Sequence, residues 1–193
     1  EANLENHVML EAGNAIPDVM RAIAHGSLMG ARGNSGVILS QILRGMARSF
    51  DNKTTLRTSD IAAAFQEGAT TAYKGVIKPV EGTILTVIRE TAEAAAASQQ
   101  TDDIATLWDV LVASAHASVE RTPSLLPALR LAGVVDAGGY GLAILLEGIQ
   151  RYIRGESATG LAVRQASLDG TEAPEEGYGY DIYLRKGHVL IGL

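Results

Sequence analysis

Cysteine is absent from the 193-residue chain, which excludes disulfides and thiolate metal sites and predicts a reducing, cytoplasmic setting. Aromatic residues supply only 5% of the sequence against a hydrophobic total of 47%. The core must therefore come from Ala, Leu, Ile and Val, a composition suited to helices. No apolar run approaches the roughly 20 residues that a membrane-spanning helix needs. The start, Glu1-Ala-Asn-Leu-Glu-Asn, lacks the basic and apolar regions of a signal peptide. Positive charge is also short: 16 Lys and Arg face 22 Asp and Glu, for a net charge of −6. The basic residues are scattered, which argues against a nucleic-acid surface. An initiator Met is missing and the last residues are Gly-Leu, so the chain reads as a piece of a longer protein.

Strand patterning is missing as well until late in the chain. Residues 1–12 read as the tail of one helix, and Ala15 to Met29 as a second, with Pro17 in its first turn. Further helices are predicted over 36–49, from Thr58 or Ser59 to Tyr73, from Gly82 to Ser98, and over 104–120 behind an Asp102 or Asp103 cap. Thr122-Pro123 has the form of a new helix start, with Gly133 as its end, and Tyr140 to Ile153 closes the series. The expectation is an all-α body of about eight helices over 1–154, with the short connections usual in bundles. Residues 155–176, rich in Gly, Ser, Thr, Pro and Glu, read as a linker. Over 177–193 the alternation of Tyr178, Tyr180, Ile182 and Leu184, then Val189, Ile191 and Leu193, predicts a β-hairpin. A lone hairpin is marginal in water, so it reads as the start of a truncated second domain.

Three helix starts carry loops that a ligand could use. Gly30-Ala-Arg-Gly-Asn-Ser-Gly36 places Gly30, Gly33 and Gly36 where a chain can approach a ligand closely, with Asn34 and Ser35 as candidate N-caps. Lys78–Thr83 and Asp136–Gly139 likewise precede helices. A helix start has unpaired N–H groups and a partial positive charge, and so accepts phosphate. An up-and-down bundle gathers alternate helix starts at one end. Taken singly, each loop is equally a plain helix connection, and the first matches neither common phosphate-loop pattern.

Together, Leu28–Gly45, Lys78–Val87 and Gly133–Gly141 resemble the nucleotide-binding L domain of dihydroxyacetone kinases (the DhaL type). The resemblance covers about residues 10–155 and is greatest to the ATP-binding subunit of bacterial fatty acid kinase. It implies an antiparallel eight-helix barrel that binds ATP or ADP with Mg2+ at one end. By position, Gly33, Asn34, Ser35 and Gly36 would meet the phosphates or their surroundings, and Gly82 and Thr83 the base or sugar. Asp136, Ala137 and Gly138 would close the site, with Asp136 accepting from ribose or adenine. No side chain is expected as a strong base, because metal and positioning carry phosphoryl transfer. The family's metal loop, of the form Asp-x-Asp-x-Gly-Thr-Asn, has no counterpart before Gly30, where the acids are Glu1, Glu5, Glu11 and Asp18. The Mg2+ ligands are thus expected upstream, and this fragment alone is expected to be inactive. Gly177–Asp181 resembles the start of that subunit's next domain, in which many relatives bind zinc through a Cys where Asp181 stands here.

Other candidates have plainer readings. His7, His25, His116 and His188 are dispersed, Trp108 reads as a core anchor, and Glu90 and Glu93 lie on a solvated face. Arg32 suits a phosphate or a salt bridge, and Glu81 a helix dipole or a ligand. Two functions remain. One is a kinase domain that phosphorylates a substrate held by a partner, a fatty acid on an acyl-binding protein. The other is a nucleotide-holding module without turnover. A dihydroxyacetone kinase L subunit is a third, disfavoured by the appended hairpin. A homodimer is compatible with either.

Overall fold

The computed structural model describes residues 16–98, 101–156, 181–185 and 188–192. Seven helices lie among them: α1 (Ile16–Gly30), α2 (Gly33–Ser49), α3 (Thr58–Lys74), α4 (Ile84–Ala97), α5 (Ile104–Leu125), α6 (Pro127–Ala132) and α7 (Ala137–Ile153). Two short strands follow, β1 (Asp181–Arg185) and β2 (His188–Gly192), paired antiparallel with Ile182 opposite Ile191. The expected helix over 1–12 and most of the expected linker fall outside the described residues.

Contacts between successive helices run in opposite senses. Gln41 meets Gly75 while Gly45 meets Thr71, so α2 and α3 are antiparallel. Arg121 on α5 bonds Glu90 on α4 at 2.5 Å, and Thr122 abuts Gly82, so α4 and α5 are antiparallel too. Asp109 reaches Gln150 and Arg154 at the far end of α7, whereas Thr122 bonds Asp136 at its beginning. The starts of α2, α4 and α7 therefore share one end of the bundle.

Helix α4 is the most enclosed element, packing on α3, α5 and α7, with Leu85, Val87, Ile88, Ala92 and Ala95 buried. The apolar stripe of α5 (Leu107, Trp108, Leu111, Val112, Ala115) faces the same core. Trp108 is a core anchor: it meets Phe65 edge to face at 6.1 Å and its indole N–H donates to the Leu146 carbonyl at 2.9 Å. Small residues let the helices approach. A Cβ on Gly45 would lie 2.5 Å from the Glu67 carbonyl oxygen, and one on Gly68 would lie 3.1 Å from that of Ile42.

Several local expectations are corrected. Asn34 and Ser35 do not cap α2; they lie in its first turn, and the preceding Arg32 gives no side-chain cap. Helix α3 is preceded by Arg57, whose backbone N–H donates to the Asp60 carboxylate at 2.9 Å. Thr122-Pro123 does not start a helix: α5 runs through it to Leu125, and the short helix begins at Pro127. Pro123 has no N–H for the Val119 carbonyl four residues back. The Thr122 hydroxyl donates to that carbonyl instead, at 2.7 Å, so the helix continues. Helix α7 begins at Ala137 rather than Tyr140, because Asp136 caps it.

Candidate functional site

At the end where α2, α4 and α7 begin, the three loops form a connected series. Gly33 opens α2 with φ 62°, a left-handed conformation in which glycine alone is unstrained. Across from it, a Cβ on Gly138 would lie 2.9 Å from Ser35 Oγ, so the first and third loops touch. Asp136, buried at the start of α7, accepts from the Gly139 N–H at 2.6 Å and donates its own backbone N–H to Thr122 Oγ1 at 3.0 Å. Gly82, at φ 81°, closes the second loop on α5, where a Cβ would lie 2.8 Å from Leu126 Cβ and 2.9 Å from the Thr122 carbonyl.

The candidate residues differ in access. Gly33 and Asn34 are exposed, Ser35, Gly36, Thr83, Ala137 and Gly138 are half-buried, and Gly82 and Asp136 are buried. Thr83 caps α4, accepting from the Leu85 N–H at 3.3 Å and donating to the Val80 carbonyl at 2.8 Å. Caps of this kind also serve α5, through Asp103, and α7, through Asp136. No such cap comes from Arg32, which spends its guanidinium on the Ala31 carbonyl at 2.9 Å. The start of α2 thus combines an exposed Asn, a left-handed Gly and an uncapped dipole, which suits an anion.

A charged network holds the second loop. Glu81 accepts from Tyr73 at 2.8 Å, from Thr86 at 2.7 Å and from Arg89 at 3.0 Å. The Gly82 N–H in turn donates to Thr86 at 2.8 Å. Burial pulls the Glu81 carboxyl up, but the bonds from Thr86, Tyr73 and Arg89 outweigh it and hold the group below the usual carboxylate range. Tyr73 is raised, chiefly by burial, and Arg89 is raised, chiefly by its bond to Tyr73. Glu81 is therefore an internal anchor of the loop. Glu90 and Glu93 pair with Arg121 and Arg89 on the outer face, and His116 lies 3.6 Å from the Glu147 carboxylate.

Thr86 and Tyr73 carry no signal in the sequence, and Thr122 reads there only as a helix start, yet both threonines are fully buried and tie the loops together. Thr122-Pro123 did carry a signal: a hydroxyl beside a mid-helix proline supplies the donor that the proline lacks. Among the described residues, no group of three or more His, Cys, Asp or Glu is placed to hold a metal ion. Nor, among them, is any helix long and apolar enough to cross a membrane.

Helical packing with three loops gathered at one end defines an all-α domain. Its family follows from comparison: residues 2–151 match the DAK2 domain. The chain belongs to that family, the DhaL-type L domain of dihydroxyacetone kinases, which is associated with kinases. It is 44% identical over 155 residues to an uncharacterized protein of Staphylococcus saprophyticus, a match spanning 80% of this chain and 27% of the relative. An uncharacterized protein of Staphylococcus aureus is 38% identical over 178 residues, spanning 92% of this chain and 32% of the relative. The chain thus spans about a third or less of the length of the curated relatives it matches.

Proposed function

We propose that this domain, an eight-helix barrel when complete, holds ATP or ADP across the starts of α2, α4 and α7. The observation that carries the reading is the contact of Gly138 with Ser35, which sets the uncapped α2 start beside the α7 loop. Phosphates suit the Gly33–Gly36 turn, where backbone N–H groups and the helix dipole meet an anion. Gly138, lacking a side chain, lets the α7 turn close on Ser35, and Thr83 and Ala137 complete the wall. Gly82 and Asp136 act from behind, Gly82 by letting α4 close on α5 and Asp136 by fixing the α7 turn.

In the full-length protein carrying this domain, the nucleotide's γ-phosphoryl group passes to a substrate on a partner, with a fatty acid on an acyl-binding protein as the favoured acceptor. Mg2+ belongs to such a transfer, and its ligands lie outside the described residues. Surface chemistry supports a docking partner at this end: Met29, Ile77 and Leu131 are 65%, 99% and 88% exposed, beside Arg32, Lys78 and Arg130. The hairpin belongs to a second domain in this reading. Calorimetric titration of ADP, with and without Mg2+, into the full-length protein tests the nucleotide site. Saturable binding that is lost in Gly138→Val supports it; no saturable heat in the unaltered protein overturns it. Phosphoryl transfer from ATP to an acyl-binding protein then separates a kinase from a domain that only retains nucleotide.

A further inference from the structure

We propose that Thr122 is the positioning residue of the site: one buried hydroxyl on α5 sets the α7 loop and, through it, the spacing of all three loops. The inference rests on the nucleotide reading for its functional consequence, but its structural half stands separately. Thr122 is fully buried and lies between the second and third loops. A threonine hydroxyl has one proton to give and lone pairs to accept with, and both capacities are in use. It donates to the Val119 carbonyl at 2.7 Å and accepts from the Asp136 N–H at 3.0 Å.

Pro123 fixes the direction of that proton. Because Pro123 offers no N–H to Val119, the Thr122 hydroxyl is the donor that carbonyl receives, and its lone pairs are left facing the α7 loop. Asp136 is held by its backbone at Thr122 while its side chain caps α7 through Gly139. Gly138, two residues on, is the point of contact with Ser35 in the first loop. Through its carbonyl, which accepts from the Leu126 N–H at 3.0 Å, Thr122 also abuts Gly82 in the second loop. Thr122 is itself fully buried and acts through Asp136 and Gly82.

The matched variants are Thr122→Val, which keeps the shape and removes the hydroxyl, and Thr122→Ser, which keeps the hydroxyl. Two readouts are taken on each: amide hydrogen exchange at Asp136, Gly138 and Gly139, and ADP affinity by calorimetry. In Thr122→Val, exchange at those three amides is expected to accelerate at least tenfold while α3 amides keep their rates, and ADP affinity to fall at least tenfold. Thr122→Ser is expected to restore both to within threefold of the unaltered protein. Unchanged exchange in Thr122→Val, or equal loss in Thr122→Ser, overturns the proposal, as does exchange that rises uniformly across all helices. Absence of ADP binding in the unaltered protein defeats the nucleotide reading instead. The exchange pattern still decides the role of Thr122 in that case.

Discussion

Asn34 is exposed in the first turn of a helix that receives no side-chain cap from Arg32, so its amide contributes little to folding. Asn34→Ala should change stability by no more than about 0.5 kcal/mol and weaken ADP binding by about tenfold, roughly 1.4 kcal/mol. A melting scan beside a calorimetric titration checks both; a collapsed melting temperature with intact affinity would make Asn34 a structural residue. Asp136 differs, because it is buried and accepts from the Gly139 N–H at 2.6 Å. Asp136→Ala removes a cap and orphans a buried donor, a loss of about 1–3 kcal/mol. Urea unfolding should register it even without nucleotide. Both residues were legible as loop residues of a glycine-rich helix start. Their division of labour was not, since exposure and capping depend on where neighbouring helices end.

Among the elements, the α2–α3 pair is the closest approach. A Cβ on Gly45 would lie 2.5 Å from a backbone carbonyl and 2.7 Å from Thr71 Oγ1. Alanine would gain helix propensity of about 1 kcal/mol, but overpacking against rigid backbone costs about 1–3 kcal/mol. The clash prevails, and Gly45→Ala should lower the urea midpoint; a raised midpoint would mean the helices separate freely. Helical periodicity predicted α2, α4 and the first five turns of α5 closely, since an apolar face facing a bundle leaves a repeat in the sequence. The α5–α6 boundary was misplaced because Thr-Pro also fits the middle of a helix when the threonine hydroxyl takes over the missing bond.

For the molecule as a whole, acid sensitivity follows from four carboxylates held below their usual range. Asp60 is lowered by Lys53 and then by the Arg57 N–H, and Asp103 by the Thr106 hydroxyl and then by the Thr106 N–H. Asp109 is lowered by Gln150 and Arg154, and Glu81 by its three bonds against an opposing burial effect. A carboxylate depressed in the folded state stabilises the fold above its unfolded pKa, about 4. That contribution is lost as pH falls through the folded value. Stability should therefore be level from neutral pH to about 5 and fall below about 4. Urea midpoints at pH 7, 5 and 3 test this, and Asp109→Asn should flatten the acid limb because the tie between α5 and the end of α7 no longer titrates. An unchanged midpoint at pH 3 would remove these bonds from the stability of the fold.

The sequence by itself determined the helical class, the absence of disulfides and membrane-crossing helices among the described segments, and three glycine-rich helix starts in an order that marks a kinase-associated family. Those properties are local: composition, periodicity and turn chemistry are written within a few residues of each other. Only the tertiary structure decided that Gly138 rests on Ser35, that Glu81 is bound internally by Tyr73, Thr86 and Arg89, and that Thr122 holds Asp136. Each of these joins residues on different elements, and the distance between them is set by how the helices pack.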